Sequence, residues 1–289
     1  KSWSYGCTTN DERIIEQYLY KHIMSIKEII KRVINTQSKN DEVAVLLSGG
    51  VDSLSVAFAA HELGKKVHAY SFCLDTGTSY DSDKAAEVAQ IFKWPYTLKV
   101  VPTNNLEEDF FTLAKEYDCK KKTHFECVFP FTYLYPEIKQ EEVLSGWAAD
   151  GYYGISKRAI LHYTKGKTKE KFDEFRNDYF LPNKSAGYLW HKIVADKHNK
   201  KFITPYLSKA VREYFYSKDW YELNEPFQKH HVVNDFEQFK QFNFKKHINL
   251  QLGAGIDKVF ETLLNNNRIN PNNRYKSVAG ICQYWGKAV

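Results

Sequence analysis

A glycine-rich hexapeptide, Ser48-Gly-Gly-Val-Asp-Ser53, contains the residue types that bind a phosphate group. Glycines let the backbone approach a phosphate closely, and free N–H groups at the start of a following helix face the anion. Ser48 and Ser53 add hydroxyl donors. Asp52 would repel a bare phosphate, so its presence predicts a divalent cation such as Mg²⁺ between them. The alternative interpretation is an ordinary strand-to-helix turn.

A second acidic loop, Ser145-Gly-Trp-Ala-Ala-Asp150, follows a short predicted strand at Glu142–Leu144. Ligands of open parallel sheets bind at the carboxyl ends of the strands. We therefore expect Asp150 to lie beside the hexapeptide and to share the Mg²⁺ ion with Asp52. The alternative is that Asp150 is only a turn residue or a helix cap.

The segments that must position these loops alternate between apolar strands and amphipathic helices. A continuous apolar run, Val43–Leu47, is typical of a strand that is buried on both faces. Alternation of this kind predicts an α/β fold with a doubly wound parallel sheet of about five strands. Further strands are predicted at 66–73, 96–101 and 142–144, and helices at 11–35, 52–63, 81–92, 106–117 and 125–135. We expect a helical segment at 1–40, an α/β core at 41–155 and a mainly helical part at 156–289 that closes the site.

Composition excludes several classes of protein. The chain has 289 residues, 43% of them hydrophobic and 26% charged, with no apolar run long enough for a membrane span. The five cysteines are odd in number and form no CxxC pair, which argues against a disulfide framework or a zinc ribbon. We expect a cytoplasmic protein with reduced thiols. The net charge of +6 suits an anionic partner, but lysines scattered over a solvated surface give the same total.

The hexapeptide resembles the pyrophosphate-binding loop of the N-type ATP pyrophosphatases, the PP-loop superfamily. It is not a Walker loop, because no Gly-Lys-Ser/Thr follows it. The resemblance implies that ATP is cleaved between its α and β phosphates, that an acceptor is adenylated, and that a nucleophile then displaces AMP. Known members make asparagine, β-lactams, NAD and GMP, or modify tRNA and nucleobases.

Two further stretches resemble the synthetase domain of asparagine synthetases, and the likeness extends over roughly residues 43–260. Tyr70–Asp75 and Tyr80–Ala89 are similar to its second strand and the following helix, and Leu144–Gly154 is similar to its Ser-Gly-Glu-Gly-Ala-Asp-Glu loop. The resemblance implies that ATP is bound by residues from all three motifs and that Mg²⁺ is held by Asp52 and Asp150. The implied ATP-binding residues are Leu46, Ser48, Gly49, Gly50, Asp52, Ser53, Ser71, Phe72, Cys73 and Gly146.

The chain departs from that family at the residues near the nucleophile. Trp147 stands where the family has a glutamate, and Gly151 replaces the second glutamate. An indole has no carboxylate with which to hold ammonia, but it offers a flat apolar face to a ring. Trp147 is therefore a candidate substrate-binding residue, and simple packing is the alternative. Phe244–Gly255 resembles the family's lysine-containing loop, which implies a catalytic role for Lys246, or else Lys245, beside Asp52 and Asp150.

These features predict an amidotransferase-type ligase that uses ATP and Mg²⁺ to adenylate a carboxylate or carbonyl and then forms an amide or C–N bond with an amine. We expect no glutaminase domain, because no such fold precedes Val43; a separate glutaminase is a candidate partner beside the small-molecule acceptor and amine. Three alternatives stay open: modification of a nucleobase or tRNA by the same chemistry, a non-catalytic nucleotide-binding module, and ATP as a regulatory ligand. The sequence shows no added RNA-binding module and no CxxC pair for sulfur transfer, which argues against the first alternative.

Overall fold

A parallel β-sheet forms the centre of the protein in a computed structural model that describes residues 24–77, 79–154, 168–181, 188–242 and 250–288. The sheet order is β3-β2-β1-β4-β5, and every pairing is parallel. This confirms the predicted α/β fold with five strands. The strands are β1 (Glu42–Leu46), β2 (Lys66–Leu74), β3 (Tyr96–Val101), β4 (Glu142–Ser145) and β5 (Lys201–Ile203).

Helices connect the first four strands, as the sequence predicts for right-handed parallel crossovers. Ser79 caps the helix after β2 by accepting a hydrogen bond from the backbone N–H of Ser82. The helices of this half are α1 (Ile26–Gln37), α2 (Val51–Glu62), α3 (Tyr80–Ile91), α4 (Leu106–Glu116) and α5 (Lys122–Leu134).

The C-terminal part is mainly helical, with short 3₁₀ turns between the helices. Its one described strand, β5, was not predicted, because Lys-Phe-Ile is too short to show a strand pattern. No helix among the described residues is both long and apolar enough to span a membrane. The helices are α6 (Lys169–Tyr179), α7 (Tyr188–Lys197), α8 (Lys209–Tyr216), α9 (Trp220–Asn224), α10 (His230–Asp235), α11 (Leu250–Gly253), α12 (Ile256–Glu261) and α13 (Val278–Ala288).

Two apolar cores cover the two faces of the sheet. Alternate side chains of a strand point to opposite faces, so Val43 and Val45 of β1 join one core while Ala44 and Leu46 join the other. Helices α1, α2, α3, α8 and α10 contribute to the first core, and helices α4, α5, α7, α12 and α13 contribute to the second. Burial on both faces explains why the sequence of β1 is a continuous apolar run.

The predicted N-terminal helix differs from the structure in its start. The sequence predicts one helix over 11–35, whereas α1 begins at Ile26 and residues 24–25 are not helical. Ser25 ends any continuous helix there, because its hydroxyl oxygen accepts a hydrogen bond from the N–H of Glu28 and caps α1. Residues 11–23 lie outside the described part of the chain.

Glu142 on β4 ties the start of the sheet to the turn after α1. Its buried carboxylate accepts hydrogen bonds from the Ser38 hydroxyl at 2.5 Å, the Lys39 N–H at 3.0 Å and the Lys201 ammonium at 3.0 Å. Burial alone would raise the pKa of Glu142, but these donors, with the N–H of Asn40, lower the pKa to about 2. The carboxylate is therefore stabilised in its charged form.

Replacing Glu142 with glutamine should lower the free energy of unfolding by about 2 kcal/mol at neutral pH, because charge-assisted hydrogen bonds are lost from a buried site. The pKa of Glu142 is lower in the folded chain, so its contribution is complete above about pH 4.5 and is lost as the pH falls toward about 2. Urea unfolding of both proteins over this range measures the effect. Glu141→Gln, at an exposed neighbour, is the matched control and should change little. An undiminished difference near pH 2 would contradict the assignment.

Candidate functional site

The hexapeptide Ser48–Ser53 forms a tight loop between β1 and α2. Gly49 has φ +70°, a left-handed conformation that favours glycine. The Ser53 hydroxyl lies 3.2 Å from the Ser48 hydroxyl, accepts a hydrogen bond from the Ser48 N–H, and donates one to the Gly50 carbonyl. The loop thus holds its shape through its own hydrogen bonds and leads directly into the N-terminus of α2.

Asp52 and Asp150 meet across a lysine that the sequence did not single out. The Lys229 ammonium donates to Asp52 Oδ2 at 2.5 Å and to Asp150 Oδ1 at 2.6 Å. The Lys229 side chain is only 9% exposed, and its ammonium lies 5.2 Å from the centre of the Tyr153 ring. Three charged groups from distant parts of the chain therefore form one ion-pair cluster, which we call the carboxylate–lysine cluster (Asp52, Asp150 and Lys229).

Burial and mutual interaction shift the pKa values in this cluster. Burial and the nearby Asp150 raise the pKa of Asp52 to about 6, although Lys229 acts in the opposite direction. Burial by itself would lower the pKa of Lys229, but the two carboxylates more than offset this and raise it. Lys229 is therefore a fixed cation, and Asp52 is a carboxylate whose charge depends on a cation beside it.

The cluster has the donor atoms that Mg²⁺ prefers. Asp52 Oδ1 is buried and has no hydrogen-bond partner among the described residues. Carboxylate oxygens from two segments, with phosphate oxygens of a ligand, suit a hard cation that retains some of its water. No group of three or more His, Cys, Asp or Glu side chains in the described part of the chain could hold a metal alone. The residues thus fit a Mg²⁺ ion that is shared with a phosphate ligand.

Gly146 allows the two acidic loops to touch. A Cβ atom at position 146 would lie 2.4 Å from both the carbonyl carbon and the carbonyl oxygen of Asp52. No real side-chain atom fits at that distance from backbone, so only glycine permits β4 to end directly against the start of α2. Leu46 and Ser145 are paired in register, which brings the ends of β1 and β4 level.

Replacing Gly146 with alanine should destabilise the protein by about 2 kcal/mol, because the methyl group forces the acidic loops apart. Urea unfolding measures the loss. Gly280→Ala is the control, since the nearest atom to a methyl group there is in the Tyr275 ring, at 3.2 Å, and the Ser277 hydroxyl is at 3.5 Å. Equal effects of the two substitutions would refute this account.

A cavity of about 550 Å³ opens at the carboxyl edge of the sheet. The structure places most of the predicted site residues on its lining, but Gly49, Gly50 and Cys73 are not part of it. Lys246 and Lys245 lie outside the described residues, so their predicted catalytic role stays a prediction. The predicted residues that line the cavity are Leu46, Ser48, Asp52, Ser53, Ser71, Phe72, Gly146, Trp147 and Asp150.

Residues 25–251 match the sequence profile of asparagine synthase. The match covers more than three quarters of the chain. The chain belongs to the asparagine synthase family. This confirms the resemblance to the synthetase domain and to the PP-loop superfamily.

Other comparisons add little to the family assignment. The solved structure of the U34-tRNA thiolase NcsA from Methanococcus maripaludis, with its 4Fe-4S cluster, is similar to this chain at 15% sequence identity and a TM-score of 0.40. The alignment covers 96% of this chain and 81% of the thiolase. No protein of curated function matches the chain.

The space beside Gly151 is filled by the packing of α6. A Cβ atom at position 151 would lie 2.1 Å from Cε1 of Tyr179. The half-buried Tyr179 ring therefore occupies the space next to position 151 and itself lines the cavity. A tyrosine ring from another helix therefore takes the space that a side chain at position 151 would need.

Lys229 is the residue that sequence reasoning missed. It precedes His230-His231 in a segment without glycine or a repeated charge pattern, so no local motif marks it. One signal was available: two carboxylates that meet at a phosphate site repel each other and favour a cation beside them, and any lysine of the C-terminal part could supply it. The lysine run at 120–122 is partly neutralised, since Lys120 pairs with Asp118 and Lys122 with Glu126.

Proposed function

We propose that this chain is an ATP pyrophosphatase-type synthetase. It transfers AMP from ATP to an oxygen of an acceptor carboxylate or carbonyl, releases pyrophosphate, and forms an amide or C–N bond when an amine displaces AMP. The observation that supports this best is the convergence of the Ser48–Ser53 loop, the two carboxylates and the end of β2 on one cavity.

Each part of the cavity has a task in this proposal. The N–H groups and hydroxyls of the Ser48–Ser53 loop bind the β and γ phosphates. Ser71 and Phe72, in the C-terminal half of β2, and Leu46, at the end of β1, bind the adenine. The carboxylate–lysine cluster gives the phosphate end its charge, and Leu46 and Phe72 give the adenine end apolar surface.

Mg²⁺ held by Asp52 and Asp150 would withdraw charge from the phosphates of ATP and so make pyrophosphate a better leaving group. Lys229 keeps the two carboxylates close together and supplies a second positive charge at the place where pyrophosphate leaves. Because Lys229 is almost fully buried, its charge is little weakened by water. Lys246 remains a further candidate cation for the same step.

The direct test is product analysis of ATP that is labelled in the α-phosphate. The full chain is incubated with Mg²⁺, an amine and a panel of carboxylate and carbonyl acceptors, and the nucleotides are separated by chromatography. We expect labelled AMP with a true acceptor, and an equal amount of pyrophosphate in a parallel enzymatic assay. ADP as the sole product would refute the proposal, and tight ATP binding without any turnover would favour a nucleotide-binding module.

A further inference from the structure

A chain of buried hydrogen bonds lies behind the first acidic loop. The Ser55 hydroxyl, on α2, donates to the backbone carbonyl of Asp52 at 2.9 Å. The Tyr206 hydroxyl lies 2.8 Å from the Ser55 hydroxyl oxygen. A serine hydroxyl has one proton, and Ser55 gives it to Asp52, so Tyr206 must be the donor in the second bond. The chain of bonds therefore runs from Tyr206 through Ser55 to Asp52.

Tyr206 is also held at its backbone, and this contact leads to the second acidic loop. Its carbonyl accepts a hydrogen bond from the Tyr152 hydroxyl at 2.6 Å. Tyr152 lies two residues after Asp150, in the same 3₁₀ turn (Ala149–Tyr152). The Tyr152 ring stacks on the Phe215 ring with their centres 4.3 Å apart, which fixes the direction of the Tyr152 hydroxyl. Tyr206 is thus bonded to the segments that carry both carboxylates.

The short segment after β5 contacts the second acidic loop on both sides of Asp150. Strand β5 pairs with β4, so the segment that follows it lies beside the loop that follows β4. The Thr204 hydroxyl donates to the Trp147 carbonyl at 2.7 Å, three residues before Asp150. Tyr206 holds Tyr152, two residues after Asp150. The position of this loop is therefore set from the end of β5.

These polar groups are removed from water. Ser55 and Tyr206 are fully buried, Tyr152 is 1% exposed, and Thr204 is 6% exposed. Breaking one of their hydrogen bonds is costly, because no water can replace the lost partner. None of these four residues is part of the cavity lining. They can act on a bound ligand only through the loops that they hold.

We infer that Tyr206 is a positioning residue that sets the distance between Asp52 and Asp150. The inference rests on the proposed function, in which both carboxylates hold Mg²⁺. A tyrosine ring is rigid, so a hydroxyl and a backbone carbonyl that are both hydrogen-bonded make a spacer of nearly fixed length. Lys229 also joins the two carboxylates, but it does so through carboxylate oxygens that a metal ion would need. Tyr206 contacts backbone and side-chain groups behind them and engages no carboxylate oxygen, so it can act while the metal is bound.

The test measures metal binding to the full chain rather than turnover. Mn²⁺ takes the place of Mg²⁺, because electron paramagnetic resonance follows its binding, and α,β-methylene ATP, which is not cleaved, is the nucleotide. Tyr206→Phe removes a single oxygen atom. We expect it to weaken Mn²⁺ binding in the presence of the nucleotide by about 10-fold, as the loss of a group that orients metal ligands commonly does. Binding of the nucleotide in EDTA, without metal, should be unchanged.

A second variant and a matched control accompany Tyr206→Phe. Ser55→Ala interrupts the same chain of hydrogen bonds, so it should weaken Mn²⁺ binding to a similar extent, and the double variant should bind no more weakly than either single variant. Either single variant decides the question if the other does not fold. Tyr135→Phe is the control, since Tyr135 is equally buried in the other core and its hydroxyl has no hydrogen-bond partner among the described residues. It should leave Mn²⁺ binding unchanged.

Two results would overturn the inference and leave the proposed function standing. In the first, Tyr206→Phe and Ser55→Ala bind Mn²⁺ as tightly as Tyr135→Phe does, which means that the chain of hydrogen bonds does not position the carboxylates. In the second, they weaken metal-free nucleotide binding as much as Mn²⁺ binding, which means that the chain supports only the fold. A wild-type protein that binds no Mn²⁺ even with the nucleotide would contradict the proposed function, and this inference with it.

Discussion

Replacing Lys229 with methionine is expected to lower the free energy of unfolding by about 3 kcal/mol in the absence of nucleotide and metal. The change removes the cation between Asp52 and Asp150 and leaves a buried carboxylate, Asp52, facing a second carboxylate without compensation. Methionine keeps most of the volume of the lysine side chain, so packing is little changed. Urea unfolding at neutral pH measures the loss.

The double variant Asp52→Asn/Lys229→Met separates charge from packing. It should recover a large part of the lost stability, because the uncompensated charge is gone. Saturating Mg²⁺ should likewise stabilise Lys229→Met more than it stabilises the wild type, since the metal replaces the missing cation. Lys240→Met, at an exposed lysine that pairs with Glu237, is the control. A stability loss that neither Asp52→Asn nor Mg²⁺ reduces would show that Lys229 acts only by packing.

Asp52→Asn should lower the rate of pyrophosphate release by at least roughly 100-fold, as the loss of a single group that stabilises transition-state charge commonly does. The amide fills the same space but is a poor ligand for Mg²⁺. The folded chain should remain stable within about 1 kcal/mol, because Lys229 keeps its contact with Asp150 and the cost of burying one carboxylate disappears.

Pyrophosphate assays and urea unfolding on the same preparation check both halves of this expectation. Asp41→Asn, at an exposed position just before β1, is the matched control and should leave both quantities unchanged. If the Asp52→Asn protein were fully active and still dependent on Mg²⁺, Asp52 would not be a ligand of the metal.

The fold was predictable because its main signals are local. A doubly buried strand gives a continuous apolar run, and an amphipathic helix repeats its apolar residues every three to four positions. The first four strands therefore lie close to their predicted bounds. Strand β5 has three residues, Lys201–Ile203, and its pairing with β4 depends on residues some sixty positions earlier, so nothing near it marks a strand.

Only those parts of the site that directly follow a strand could be predicted from the sequence. Asp52 follows β1 and Asp150 follows β4, and the ends of neighbouring parallel strands lie side by side, so their proximity could be expected. Lys229 contacts Asp52 across 177 positions of the chain and comes from the start of a six-residue helix. A contact of that kind depends on how the C-terminal helices pack, which no local pattern in the sequence specifies.

The contact between Gly151 and Tyr179 constrains how this chain can change during evolution. Any side chain at position 151 would meet the tyrosine ring, so Gly151→Glu should be harmful while Tyr179 is present. We therefore expect the two positions to be epistatic. A lineage that acquires an acidic residue at position 151 would first have to exchange Tyr179 for a smaller side chain, and that step by itself would open a gap beside the site.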